Sequence, residues 1–298
     1  MNDKNKHFIY YSINIYTQMD YIFSYNVKYS DQFESINYIN CFCESLRRIK
    51  FDGKLVIFTE SEQRLKSKFN NLDVIFVPVQ PITENFQRDE SYPLIKGLED
   101  LTILRVLITG KYIRENYIKN DDNILLIDSR DSLFQSNPFK NVSSPKLTFG
   151  EECLPYINDW TLPQFEIYKF DQSLYSSILL QKRPAINAGV QIGSVGNFLK
   201  MVDDFTKELL YIKSNISHVN TKIPVCDQII INKYLAINKP EFCEILPHKN
   251  NIIANYLLEG AFIYDGQKVY INENPVSIIH QYDRNPRMFE SLSAQYSV

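Results

Sequence analysis

The feature that most constrains the fold is the alternation of short apolar runs with amphipathic segments along the first half of the chain. Apolar runs of strand length, rich in β-branched and aromatic residues, predict strands at residues 7–15, 53–59, 73–79 and 124–127. Apolar residues at helical spacing predict helices between them, at 32–48, 61–69 and 99–116. This alternation indicates an α/β fold with a mostly parallel central sheet and helices on both faces.

The second half of the chain is less regular. Strands are predicted at 144–152, 185–193 and 276–284, and helices at 195–213 and 225–236. The signals between residues 153 and 183 are mixed, with scattered proline and tyrosine. Because the sequence has no internal repeat and no low-complexity linker, residues 1–298 are expected to form a single domain.

Composition argues against several classes of function. A net charge of −3 gives no reason to expect nucleic acid as a partner, and no apolar run approaches the roughly 18–20 residues of a membrane span. The five cysteines form no C-x-x-C pair, so neither a disulfide framework nor a zinc cluster is expected. The opening residues, MNDKNKHFIYYS, lack the apolar segment of a signal peptide, so we expect a cytoplasmic protein.

A strand suited to the middle of a sheet is followed by charged residues. The apolar run Ile124–Ile127 leads directly into Asp128, Arg130 and Asp131. Ligands of such sheets bind beyond the carboxyl ends of the strands, and two carboxylates three residues apart can converge through a turn. They would suit Mn²⁺ or Mg²⁺ with a bound diphosphate. The alternative is structural, with Arg130 paired to one aspartate and the other capping a turn.

Two further segments carry polar residues in apolar surroundings. Asn187 and Gly189 lie within the predicted strand 185–193, where a glycine indicates a bulge or a close backbone approach; the alternative is plain packing. Asp227 and Gln228 open the predicted helix 225–236, where capping is the more ordinary use of an aspartate.

His280 follows an apolar run, as Asp128 does. A histidine in such a position is more often a hydrogen-bonded structural residue. Together with Asp128 and Asp131, however, it would supply three convergent metal ligands. The neighbouring Asp283 and Arg284 add a charge pair that would orient the loop or bind a phosphate.

The order of these segments resembles that of the GT-A-fold glycosyltransferases, over nearly the whole chain. The segment LLIDSRDSLFQSNPF is similar to the DxD-type metal-binding motif of that family, NAGVQIG to its Asn-small-Gly strand, DQIIIN to its Asp-Gln helix and IIHQYDR to its metal-binding histidine region. The similarity is to uncharacterised cytoplasmic or viral members, with elements like those of glycogenin-like retaining enzymes. It implies a single GT-A-like domain, with a nucleotide-binding half at 1–139 and an acceptor-binding half at 140–298.

The resemblance also implies roles for individual residues. Asp131 would be the principal metal ligand, Asp128 would contact the ribose or the metal, and His280 would be a further ligand. The remaining implied residues contact the nucleotide, the diphosphate or the sugars: Ser12 and Asn14 near the nucleotide, Arg105 near the diphosphate or sugar, and Asn187, Gly189, Asp227 and Gln228 on the donor-sugar and acceptor side. The motif departs from the family pattern in having two residues between its acids, which brings Arg130 within reach of the site.

The implied activity is metal-dependent transfer of a sugar from a nucleotide-diphosphate sugar, with UDP favoured, to an acceptor hydroxyl. An inverting enzyme would need a carboxylate base, for which Asp227 or Glu151 is the candidate; the glycogenin-like elements favour retention. A non-catalytic nucleotide- or sugar-binding relative is one alternative. A phosphatase with Asp128 as nucleophile is another, although such an enzyme would have a second acid where this chain has Arg130.

Overall fold

The computed structural model describes residues 18–26, 36–60, 62–69, 71–79, 101–142, 144–216, 225–255 and 262–296. The predicted strand 7–15 and the site residues Ser12 and Asn14 lie outside these ranges. Within them the strands are β1 Asp20–Asn26, β2 Lys54–Thr59, β3 Val74–Pro78, β4 Asn123–Asp128, β5 Ser132–Phe134, β6 Leu147–Pro155, β7 Pro184–Ser194, β8 Cys243–Leu246, β9 Ile253–Asn255, β10 Ile263–Tyr264, β11 Val269–Ile271, β12 Asn274–Pro275 and β13 Ile278–His280.

The α-helices of the described residues lie mainly between these strands. They are α1 Ile36–Arg48, α2 Glu62–Lys66, α3 Leu101–Glu115, α4 Thr161–Phe165, α5 Gln172–Leu179, α6 Val195–Asn215, α7 Asp227–Ile237 and α8 Pro286–Tyr296. None of them is long and apolar enough to cross a bilayer.

The central sheet has seven strands in the order β3-β2-β1-β4-β7-β6-β8. Strands β1 to β4 run parallel to one another, β7 is antiparallel to both β4 and β6, and β8 is parallel to β6. The predicted mostly parallel sheet is therefore confirmed. Strands β4 and β6 run in the same direction, so their carboxyl ends, Asp128 and Pro155, lie at the same edge of the sheet.

Helices cover both faces of this sheet, which explains the unbroken apolar run of β4. Ile124 and Leu126 pack into a core with residues of α3, α6 and α7. Leu125 and Ile127 point the other way and pack with Phe42 and other residues of α1. A strand buried on both faces loses the alternation of polar and apolar residues, as the sequence predicts.

Two small three-stranded sheets complete the structure, in the orders β5-β13-β9 and β10-β11-β12. The first of them matters for the site because β13 is antiparallel to β5 and parallel to β9. It sets His280 opposite Ser132 on one side and opposite Asn255 on the other. The long-range pairing therefore brings the last predicted motif next to the DSRD segment.

The structure differs from the local predictions at one unpredicted strand and at the end of another. Strand β1, with the sequence DYIFSYN, lies between β2 and β4 but was not predicted, since its tyrosines, serine and terminal Asp and Asn break the apolar run. The strand predicted at 276–284 ends at His280; Gln281 adopts the left-handed conformation with φ of 58°, and Tyr282–Arg284 forms a 3-10 turn. The mixed segment 153–183 contains the short helices α4 and α5.

Candidate functional site

The two aspartates and the histidine meet at the carboxyl edge of the central sheet. Asp128 is the last residue of β4, and Asp131 directly precedes β5. His280 ends β13, whose pairing with β5 carries it to the same point. One ligand atom from each of the three side chains lies within 4.8 Å of the others. The convergence predicted from the sequence is confirmed.

The turn between β4 and β5 is held by hydrogen bonds that leave its carboxylates directed at the histidine. The Ser129 hydroxyl donates to the carbonyl of Tyr25 at 2.7 Å, and the backbone N–H of Gln281 donates to the carbonyl of Asp131 at 2.7 Å. The imidazole Nε2 of His280 is 3.6 Å from Asp128 Oδ2 and 3.5 Å from Asp131 Oδ1. These bonds tie the turn to β1 through Tyr25 and to the residue after β13 through Gln281.

Two buried polar atoms of the cluster make no hydrogen bond within the described part of the chain: Asp131 Oδ1 and His280 Nε2. Asp131 is 5% exposed and His280 is 1% exposed. An unsatisfied buried polar atom costs about 1–3 kcal/mol, so a group that accepts both lone pairs would stabilise the site. Carboxylate oxygens suit Mn²⁺ or Mg²⁺, and an imidazole nitrogen completes the set.

The second ring nitrogen of His280 is already engaged. Its Nδ1 lies 3.0 Å from Oδ1 of Asn255, which β9 carries alongside. An amide oxygen only accepts, so Nδ1 carries the proton, and when the ring is neutral the lone pair of Nε2 is directed at the point where the two carboxylates converge. Asn255 thus fixes the tautomer that a metal ligand requires.

Charge interactions dominate the protonation of the cluster. Burial by itself would lower the pKa of His280, but the carboxylates of Asp131 and Asp128 raise that pKa to about 9. Burial would raise the pKa of Asp128, yet Arg105 and His280 hold it below its ordinary value. Without a cation, a proton on His280 therefore balances part of the negative charge.

Gly189 provides the space in which Asp128 and His280 approach each other. A Cβ at this position of β7 would lie 2.5 Å from Cε1 of His280 and 2.7 Å from Oδ2 of Asp128. Real Cβ atoms do not come this close to other atoms. The close backbone approach predicted from a glycine within a strand is therefore present, and the two potential ligands are what approaches.

Arg105 joins the cluster to the start of α7. From α3, its guanidinium pairs with Asp128 and donates to Asp227 Oδ2 from Nε at 2.9 Å and from the terminal nitrogen at 2.5 Å. The guanidinium also donates to the carbonyl of Ala188 at 3.1 Å. Both Arg105 and Asp227 are buried, so each compensates the charge of the other.

The capping interpretation of Asp227 is wrong. Cys226 is the N-cap of α7, and Asp227 is its first helical residue. The carboxylate of Asp227 accepts from Arg105, and its own N–H donates to the Thr102 hydroxyl at 3.1 Å. Asp227 therefore connects α7 to α3 through two side chains.

Asn187 and Gln228 meet at a residue that the sequence analysis did not select. The Glu152 carboxylate accepts from the Asn187 amide at 2.8 Å and from the Gln228 amide at 3.1 Å, and Glu152 is 5% exposed. Asn187 Oδ1 in turn accepts from the N–H of Gly189 at 2.7 Å. Glu152 lies within β6, and two consecutive acids in a predicted strand were the available signal.

The neighbouring Glu151, named as an alternative base, behaves differently. Its Oε2 accepts from the backbone N–H of His248 at 3.3 Å, while Glu152 holds the two amides. Side chains of consecutive strand residues point to opposite faces, so only one of the two acids can join the amide network.

Arg130 spans the outer side of the cluster. One terminal nitrogen of its guanidinium is 3.8 Å from Asp131 and 3.5 Å from Asp283, and 37% of its side chain is exposed. The structural alternative is thus met in part, because Arg130 does pair with one aspartate. The other, Asp128, pairs with Arg105 instead of capping a turn.

A comparison with solved structures gives the fold. The crystal structure of mouse xyloside xylosyltransferase 1, apo form, matches with a TM-score of 0.57 at 14% sequence identity, covering 88% of this chain and 97% of that chain. That structure is of the GT-A type. The chain has a GT-A-like fold. No protein-family model and no curated protein matches the sequence.

Proposed function

We propose that this chain is a metal-dependent glycosyltransferase. It transfers a sugar from a nucleotide-diphosphate sugar, with UDP favoured, to an acceptor hydroxyl. The observation that carries the proposal is the cluster of Asp128, Asp131 and His280 at the carboxyl edge of a GT-A-like sheet, with two buried ligand atoms that make no hydrogen bond within the described part of the chain.

Asp131, His280 and Asp128 would hold Mn²⁺ or Mg²⁺. When bound, the cation supplies Lewis-acid stabilisation of the negative charge that develops on the leaving diphosphate. The chain's own contribution is to hold the ligands in place. Asn255 fixes the histidine tautomer, Gly189 leaves the necessary space, and the β5–β13 pairing sets the spacing.

The nucleotide would lie against the half of the sheet built from residues 1–139, with Ser12 and Asn14 near it. Arg130 is partly exposed and close to Asp131, so its guanidinium is suited to a diphosphate oxygen. Arg105 is buried behind Asp128, where it would counter the negative charge of the site and orient the carboxylate.

Residues 140–298 would bind the donor sugar and the acceptor. Asn187, Gly189 and Gln228 would line this side, with Glu152 orienting the two amides. The Asp227 carboxylate is buried and accepts two hydrogen bonds from Arg105, so it already serves as the counter-charge of that guanidinium. This favours a retaining mechanism over one with Asp227 as base.

The experiment is thermal unfolding with UDP, GDP, CDP and dTDP, each with and without Mn²⁺. A ligand at about 100 times its dissociation constant stabilises by about 2.7 kcal/mol, which amounts to several degrees for a chain of this size. We expect such a shift for one nucleotide, only with metal, and its loss in Asp131→Asn. Asp203→Asn, on the exposed side of α6, is the matched control and should keep the shift.

Turnover separates the alternatives. Release of nucleoside diphosphate from a sugar donor, with a xylosyl donor among those tested, supports the transferase. A metal-independent nucleotide shift without turnover would indicate a non-catalytic binding protein. Release of phosphate from simple phosphomonoesters, lost in Asp128→Asn, would indicate the phosphatase. No shift with any nucleotide would contradict the proposal.

A further inference from the structure

Trp160 is the only tryptophan of the chain, and 52% of it is exposed. Tryptophan side chains are on average highly buried, because their surface is large and mostly apolar. Leu162, two residues later, is 38% exposed. The segment between β6 and α4 therefore presents a large flat aromatic ring to its surroundings.

This segment leaves the sheet at the same edge as the metal cluster. Strands β4 and β6 are both antiparallel to β7 and so run in the same direction. Asp128 ends β4, and Pro155 ends β6. Trp160 follows Pro155 by five residues, after the carboxyl end of β6. It is part of the proposed acceptor-binding half, residues 140–298.

Hydrogen bonds connect the backbone of Trp160 to the start of α7, which carries Asp227 and Gln228. The Gln164 amide donates to the carbonyl of Trp160 at 3.0 Å, and its Oε1 accepts from the Cys226 thiol at 2.7 Å. Cys226 directly precedes Asp227 and Gln228. The backbone at Trp160 is thus linked through Gln164 to Cys226, the residue before Asp227 and Gln228.

The backbone that carries the ring is held in one conformation. Asn158 Oδ1 accepts from the N–H groups of Trp160 and Thr161 at 2.9 and 3.0 Å, and its amide donates to the carbonyl of Pro155 at 2.8 Å. The Thr161 hydroxyl donates to the carbonyl of Tyr156 at 2.7 Å. An exposed aromatic on an ordered turn loses little conformational entropy when a ligand packs on it.

We infer that Trp160 is a platform for a pyranose ring of a carbohydrate acceptor. One face of a pyranose presents C–H groups, which pack against the negative face of an aromatic ring, while its hydroxyls remain at the edge for amides and carboxylates. The acceptor role rests on the proposed function. A nucleobase could also stack on indole, but the proposed nucleotide side is built from β1 to β4, across β7 from the segment that carries Trp160.

Because Trp160 is the sole tryptophan, fluorescence excited at the long-wavelength edge of indole absorption, where the 20 tyrosines absorb little, reports on it alone. The protein is titrated with methyl pyranosides of xylose, glucose and galactose in the millimolar range, with mannitol as an open-chain control and UDP with Mn²⁺ as a donor control. The expected result is a saturable change of emission with a pyranoside and none with mannitol. No change with any pyranoside, or a change with UDP alone, would overturn the platform.

Kinetics give the second readout. Trp160→Ala is expected to raise the KM for the acceptor about fivefold to tenfold, which is about 1–1.4 kcal/mol, with a smaller change in kcat, since the stacking contact is lost. Trp160→Phe should restore most of the affinity. Tyr117→Ala is the matched control, because Tyr117 is 90% exposed and precedes the amino end of β4, at the opposite edge of the sheet.

The two proposals fail separately. A fluorescence response to pyranosides in a protein that binds no nucleotide would leave the platform in place and contradict the transferase. Normal transfer with an acceptor KM unchanged in Trp160→Ala would contradict the platform and leave the transferase in place.

Discussion

At the scale of single residues, Gly189 is the position where one methyl group would do the most damage to the candidate metal site. Its added Cβ would meet both His280 and Asp128 at under 3.0 Å, and both side chains are held from behind, by Asn255 and Arg105. Neither can retreat without losing a hydrogen bond. The lack of a side chain at residue 189 is therefore what leaves room for the two candidate ligands.

We expect Gly189→Ala to weaken Mn²⁺ binding by at least about tenfold and to cost about 1–3 kcal/mol of unfolding free energy through overpacking. Manganese binding can be followed by electron paramagnetic resonance of the free ion. Gly196→Ala, in the first turn of α6, is the control, because the three atoms nearest to the added Cβ belong to the exposed Asn120 and lie 3.1 Å or more away. Equal Mn²⁺ affinity in the two variants would show that the space at Gly189 is not required for metal binding.

At the scale of elements, the small sheet β5-β13-β9 assembles the site from three separate parts of the chain. Strand β5 follows Asp131, β13 contributes His280, and β9 contributes Asn255. Gly150 of β6 lies close by, since a Cβ there would be 2.6 Å from the Asn255 amide nitrogen. The orientation of the imidazole thus depends on four strands.

Asn255→Ala should lower Mn²⁺ affinity by about 10–100-fold, the usual cost of removing a group that orients a metal-binding histidine. Asn255→Asp keeps an acceptor for Nδ1 and should recover part of the affinity. Isothermal titration with Mn²⁺ measures both, and circular dichroism confirms that the strands remain. An Asn255→Ala protein that binds Mn²⁺ as tightly as the wild type would show that β9 has no part in orienting His280.

At the scale of the whole molecule, the proposed nucleotide-binding and acceptor-binding halves share one sheet. Strand β4 pairs with β1 on one side and with β7 on the other, and β5 pairs with β13. Each half therefore completes the hydrogen bonding of the other. Strand pairing across the boundary near residue 139 is extensive enough to couple their unfolding.

We expect urea unfolding to follow one transition, with the same midpoint by Trp160 fluorescence, which reports on residues 140–298, and by far-ultraviolet circular dichroism, which reports on the whole chain. A fragment of residues 140–298 should not fold alone, because β7 would lack β4 and β13 would lack β5. Two separated midpoints, or a folded fragment, would show that the halves are independent domains.

The sequence by itself determined the elements that depend on local patterns. The apolar run of β4 predicted a doubly covered strand, the spacing along 195–213 predicted α6, and alternation predicted the parallel part of the sheet. It also singled out Asp128, Asp131, His280 and Gly189, because charged or flexible residues next to apolar runs are costly unless they have a use. These inferences succeed because hydrophobic periodicity is encoded within one segment.

Only the tertiary structure decided which of these residues meet and what holds them. Asn255 and Glu152 gain their roles from partners 25 and 35 or more residues away, and Arg105 of α3, the partner of Asp227, is 122 residues away. Strand β1 carries too many polar residues to be recognised alone and is fixed by its two neighbours. Contacts between distant segments depend on strand register and helix packing, and no local pattern in the sequence specifies either.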